Sequence, residues 1–192
     1  LRYELATRIE RVRRILQGPR RKGATRIREE VLRGRALRET VAALASEKGE
    51  SPQKLRKSAR KYLREIAADP GPRTLNVFRW FLRHFVWFRI YDGLEVDQRQ
   101  MDRLREAAAK GPLLLLPTHR SHVDYLLLSW IVAEYDTAPP CIAAGANLSF
   151  FPIGGIFRRS GAFFIRRSFW KNRLYTACLT DYLRKILAER YN

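Results

Sequence analysis

Cysteine is scarce in this sequence. Cys141 and Cys178 are the whole supply, and neither belongs to a Cys-x-x-Cys pair. With three histidines and no His/Cys cluster, a clustered metal site and a disulfide framework are both excluded. Both thiols lie in apolar stretches and read as buried free cysteines of a reducing compartment. No run of about 18 apolar residues is present, so no segment is expected to span a bilayer as a helix. The N-terminus lacks the charged-then-apolar pattern of a secretory leader. The chain opens on Leu1 and closes on Tyr191 and Asn192, and is expected to be a piece of something longer. Acidic residues are also in short supply, with 19 Asp and Glu against 38 Lys and Arg and a net charge of +19. A field of that sign calls for anionic partners: nucleic acid, an acidic membrane surface, or phosphorylated and acidic substrates, acidic carrier proteins included.

What is present divides at a composition break. Residues 1–69 are Arg-rich, nearly free of aromatics and helical in pattern, with breaks at Gly18-Pro19 and from Gly49 to Pro52. The clearest helix starts at Ser51, an N-cap candidate, with Pro52 in the first turn. Leu55, Ala59, Tyr62, Leu63 and Ile66 recur on its one apolar face, while Lys54, Lys57, Lys61 and Arg64 line the rest. That basic face is either simply solvated or a surface for anions. Asp69-Pro70-Gly71-Pro72 stops one helix and disfavours the restart of another, so the boundary is placed at 70–73. Residues 74–192 follow as a second region. It opens from Thr74 to Tyr91 with Phe78, Trp80, Phe81, Phe85, Trp87, Phe88 and Tyr91 interleaved with Arg79, Arg83, His84 and Arg89. This stretch is too charged to cross a bilayer. It suits either a helix lying in the headgroup layer or one buried between domains.

Farther on, apolar runs alternate between strand and helix character. Leu113 to Leu116, Cys141 to Ala144 and Ala162 to Ile165 read as strands. Tyr125 to Tyr135, Pro152 to Arg159 and Leu174 to Arg190 read as helices. Such alternation predicts an α/β layered domain with chemistry at the strand ends, after Leu116 and after Ile165.

The segment after Leu116 is Pro117-Thr118-His119-Arg120-Ser121-His122-Val123-Asp124, a polar loop between two apolar stretches. A neutral imidazole suits removal of a hydroxyl proton near neutral pH, and a nearby carboxylate can fix its tautomer. His119 and Asp124 are five positions apart, which a loop entering a helix can bring together and a regular helix cannot. The alternatives are an N-cap role for Asp124 and structural hydrogen bonds for His119 or His122.

The string from His119 to Ser129 resembles the His-x-x-x-x-Asp motif of the glycerolipid acyltransferases, in the membrane-bound form that uses glycerol 3-phosphate. Ile142 to Leu148 and Ile156 to Arg167 are similar to the next two segments of that family, in the same order. The resemblance implies an α/β acyltransferase domain, incomplete at its C-terminus and preceded by a small basic α-helical domain. It implies His119 as general base, Asp124 as its orienting partner, and substrate contacts from Arg120, Ser121, Gly161, Phe164, Ile165, Arg166 and Arg167. The family's third motif, of Glu-Gly-x-Arg-Ser-Arg type, does not occur before Asn192, and the fragment alone is expected to be inactive. The implied reaction moves an acyl group from an acyl carrier protein or coenzyme A thioester to glycerol 3-phosphate, giving lysophosphatidic acid without cofactor or metal. The implied location is peripheral, on the cytoplasmic face of the bacterial inner membrane, with an anionic surface as partner and no nucleic acid. Dihydroxyacetone phosphate and lysophosphatidate are the rival acceptors. A basic membrane- or nucleic-acid-binding module is the rival of another class.

Overall fold

The computed structural model describes residues 23–87, 95–118, 124, 127–128, 130–131 and 140–189. They divide between two compact units, one built from residues 22–75 and 141–189, the other with its described part in residues 76–140.

The first unit begins with three helices, α1 (Ala24–Arg33), α2 (Arg35–Lys48) and α3 (Pro52–Ile66). Gly49 ends α2 with φ 62°, a left-handed conformation that glycine adopts without steric cost. Ser51 and Pro52 start α3 as the sequence predicts, although the Ser51 side chain makes no cap hydrogen bond. Leu55, Ala59, Leu63 and Ile66 are all buried, and each large aliphatic among them contributes about 1.5–3 kcal/mol by leaving water. Ile27 and Val31 on α1, and Leu37, Val41 and Leu44 on α2, complete the inward stripes.

These helices do not form a layer of their own. They pack on α7 (Arg173–Ala188), whose Leu174, Tyr175, Cys178, Leu179, Tyr182 and Ile186 are buried. Asn172 caps α7 by accepting from the Tyr175 N–H at 3.0 Å. Tyr182 accepts from the Ala68 N–H at 3.0 Å, tying the segment after α3 to the core. Lys185 closes the edge between α1 and α7 by pairing with Glu30 at 2.6 Å.

Two parallel strands complete this unit. β1 (Ile142–Gly145) pairs with β2 (Ala162–Ile165) in the register Ile142↔Ala162 to Gly145↔Ile165. They are joined through a short 3₁₀ turn, Ala146–Leu148, and the helix α6 (Ile153–Arg159). The Asp69 and Gly71 N–H groups donate to the Arg158 and Arg159 carbonyls at 3.0 and 2.9 Å, satisfying two acceptors at the end of α6. The chain leaves the unit after Leu75 and returns at Cys141.

In the aromatic segment, α4 (Pro72–Phe81) runs into a π-helical turn, Leu82–Trp87. Val77, Trp80 and Phe81 are exposed and Leu82 is buried. The rest of the aromatic stretch, from Phe88, lies outside the described residues. α5 (Gln98–Lys110) follows, capped by Asp97, whose carboxylate accepts from the Arg99 N–H at 2.9 Å. The expected strand at Leu113–Leu116 is not formed: the backbone pairs with no strand among the described residues, and Leu114 and Leu116 are exposed. A four-residue apolar run satisfies a strand only where a neighbouring strand takes up its N–H and C=O groups. Where they are described, positions of the expected helix after Asp124 are helical: Leu127, Leu128, Trp130 and Ile131. The described fold is thus mostly helical with a two-stranded parallel sheet, rather than a three-stranded α/β layer.

Candidate active site

Of the two predicted clusters, the first is described only at its end. His119, Arg120 and Ser121 lie outside the described residues, as does His122. Asp124 is helical and half-buried.

The second cluster, at the end of β2, is described in full. Gly161 is buried with φ 101°, a conformation that side chains strain to adopt. Its N–H donates to the Arg158 carbonyl at 3.2 Å and its carbonyl accepts from the Ile142 N–H at 3.1 Å. This glycine therefore joins the end of α6 to the start of the sheet. Phe164 is wholly buried, and the Arg158 guanidinium lies 4.7 Å from its ring centroid. Arg158 also donates to the Ala67 carbonyl and, at 2.9 Å, to the Glu65 carbonyl, capping the end of α3. Burial holds its pKa below the ordinary arginine value. Ile165 is half-buried and closes the strand register against Gly145.

Arg166 and Arg167 then separate. Arg166 Nε and Nη2 donate to the two carboxylate oxygens of Glu65 at 2.6 and 2.7 Å, a bidentate pair. Its guanidinium lies against two rings that also meet each other edge to face, 5.0 Å from the Tyr62 centroid and 4.8 Å from that of Tyr175. The Arg166 N–H donates to the Tyr175 hydroxyl at 3.2 Å. The hydrogen bond to Glu65 holds the guanidinium pKa above its ordinary value, against a smaller opposing effect of burial. Arg167 is exposed and makes no ion pair or side-chain hydrogen bond with the described residues. Two adjacent cations of one motif thus differ in kind: one is already neutralised, the other is available to an anion.

Sequence reasoning missed Glu65, Tyr62 and Tyr175. A signal existed, because Glu65 is the one acid in α3, three positions after Tyr62 on a helix otherwise lined by cations. Among the described residues no group of three His, Cys, Asp or Glu side chains could hold a metal ion.

A model of the family described as Acyltransferase covers residues 95–192, half of the chain. This chain belongs to the Acyltransferase family. The family segment takes in both predicted clusters, so Asp124 and the Gly161–Arg167 strand end stand inside the acyltransferase region, while Glu65 and Tyr62 stand outside it. This acyltransferase chain is 41% identical over 176 residues to a protein of Haemophilus influenzae (strain PittEE) named glycerol-3-phosphate acyltransferase. It is 40% identical over 176 residues to one of the same name from Pasteurella multocida (strain Pm70), and 39% over 183 residues to one from Shewanella amazonensis (strain ATCC BAA-1098 / SB2B). The alignments cover 91%, 91% and 95% of this chain, but the chain spans only about a fifth of those relatives, 21%, 21% and 22%.

Proposed function

We propose that the protein of which this chain is part transfers an acyl group from a thioester to the first hydroxyl of glycerol 3-phosphate, forming lysophosphatidic acid for phospholipid synthesis. The observation that carries this reading is the identity of about 40% with proteins of that name along nine-tenths of the chain. The ordered segments from His119 to Arg167 support it.

In this mechanism His119 takes the proton of the acceptor hydroxyl as its oxygen attacks the thioester carbonyl. The new O–C bond forms, the C–S bond breaks, and the imidazolium returns its proton to the thiolate leaving group. Asp124 fixes the imidazole tautomer and stabilises the imidazolium. Arg167 contacts the phosphate dianion from the end of β2, where its exposed guanidinium supports that role. Arg166, engaged by Glu65, holds the strand end in place behind it. Arg120, Ser121, Gly161, Phe164 and Ile165 shape the substrate site, Gly161 and Phe164 through the backbone and the core rather than by exposed groups. No covalent intermediate, metal or cofactor is needed, and the acyl donor is a carrier protein or coenzyme A thioester. The fragment alone is inactive for want of the later substrate-binding motif. The enzyme works peripherally on the cytoplasmic face of the inner membrane. Among the described residues no helix is long and apolar enough to cross a membrane.

The test is transfer from labelled palmitoyl-coenzyme A to glycerol 3-phosphate, with dihydroxyacetone phosphate and lysophosphatidate as competing acceptors. The protein extended to the length of its relatives should favour glycerol 3-phosphate, and its His119→Ala variant should lose at least about 100-fold in turnover. Preference for another acceptor, or full activity without His119, would overturn the assignment.

A further inference from the structure

The surface of the first unit is not uniformly polar. From the turn before α6 into α6 itself, the chain presents Phe150, Phe151, Ile153 and Ile156 to solvent, with Phe151 95% and Phe150 53% exposed. Large apolar side chains scattered singly on a surface carry no message, but four exposed within seven residues of one turn and the helix it enters concentrate apolar surface there.

The backbone holds this patch outward. The Gly154 N–H donates to the Phe150 carbonyl at 2.7 Å, and the Ser149 hydroxyl donates to the Ala146 carbonyl at 2.6 Å. Gly154 is packed so closely on Ser149 that a Cβ there would overlap the Ser149 carbonyl. The two phenyl rings are therefore carried on a tight turn braced from beneath. Such a turn loses little conformational freedom when its tip enters an apolar phase.

The helix that follows completes the arrangement. On α6, Ile153, Ile156 and Arg159 are spaced three apart, so the apolar stripe passes sideways into an exposed cation on one continuous surface. That sequence of phenyl tip, aliphatic flank and guanidinium rim matches the depth profile of a bilayer surface, from acyl chains to headgroup phosphates. The charge of the chain, +19, has the sign that draws it to anionic lipid.

We infer that the turn Phe150–Phe151 and the Ile153/Ile156 face of α6 insert into the headgroup and upper acyl region of an anionic phospholipid bilayer, with Arg159 on the phosphates. The surface is independent of the acceptor and of turnover, so it stands or falls separately from the reaction proposed above.

Binding of the 192-residue chain to sedimentable vesicles of 30% phosphatidylglycerol in phosphatidylcholine measures it. The Phe151→Ser variant should partition at least about tenfold less than the parent, with an unchanged melting temperature, because a phenyl transfer is lost while Phe151, 95% exposed, gives up almost no buried contact. Equal partitioning of variant and parent would overturn the inference. So would a lowered melting temperature with vesicle binding intact, since that result means the patch is covered by protein. A Phe151→Trp variant supplies the second measurement: its added fluorescence should be quenched by vesicles carrying acyl-brominated lipid, and unquenched emission would also reject insertion.

Discussion

Replacing Glu65 by alanine tests the account of the β2 strand end most directly. The substitution removes both acceptors of the Arg166 guanidinium, at 2.6 and 2.7 Å, and leaves the cation against the Tyr62 and Tyr175 rings. A hydrogen bond to a charged group is worth about 1.5–3 kcal/mol where water is excluded. Here the side chains retain 36% and 26% of their exposure, so solvent screens part of that value. The expected loss for the bidentate pair together is about 2 kcal/mol. For a chain of this size that lowers the melting temperature by about 4–8 °C. Alanine is a good helix former, and the Glu65 carbonyl that accepts from Arg158 is untouched, so the loss reports the carboxylate. Thermal and urea denaturation of the parent, Glu65→Ala, Arg166→Ala and the double variant give a coupling energy, expected at about 1–2 kcal/mol. Arg166→Lys should recover less than half of it, because an ammonium offers neither the planar fork nor the same stacking. A Glu65→Ala protein melting within about 1 °C of the parent would refute the reasoning.

Two further predictions follow from the same unit. Gly161→Ala forces a side chain into φ 101° and should cost about 1–3 kcal/mol in urea denaturation, whereas Gly155→Ala, on open helix surface, should be neutral or slightly stabilising. Burial pushes the Cys178 thiol up to about 12 from its ordinary 9.0, so the stability it confers is complete below about pH 9 and drains away as pH rises toward 12. The slope in that window should be at most about 1.4 kcal/mol per pH unit, and Cys178→Ala should flatten it. In the native protein at pH 8 a thiol reagent should leave Cys178 unmodified, and reaction there without unfolding would contradict the burial.

The local rules carried the sequence reading a long way. Pro52 and the Leu55, Ala59, Leu63, Ile66 stripe specified α3, and Gly49 marked the end of α2, because caps, period and left-handed turns are encoded within a few residues. Ala162–Ile165 and the helix after Asn172 were equally legible. Leu113–Leu116 was not, since a short apolar run looks the same whether or not a partner strand lies beside it. The Arg-Arg pair at the end of β2 was visible as a likeness, but its division of roles was hidden. Arg166 meets Glu65 across 101 residues of chain, and no periodicity reports a contact of that separation. The apolar turn at Phe150–Phe151 formed no part of the sequence reading, because exposure depends on the brace beneath it.

The interleaving of residues 22–75 with 141–189 has a consequence for how the protein comes into being. Translation delivers α1, α2 and α3 first, while their partner α7 follows more than a hundred residues later: Ala68 waits 114 positions for Tyr182, and Ala59 waits 119 for Cys178. At ordinary synthesis rates this leaves the inward stripes of the three helices without their partner for roughly 5–25 seconds. Throughout that interval the nascent segment is a positively charged, half-finished bundle with its leucines in water, and only the emergence of α7 turns it into a closed core.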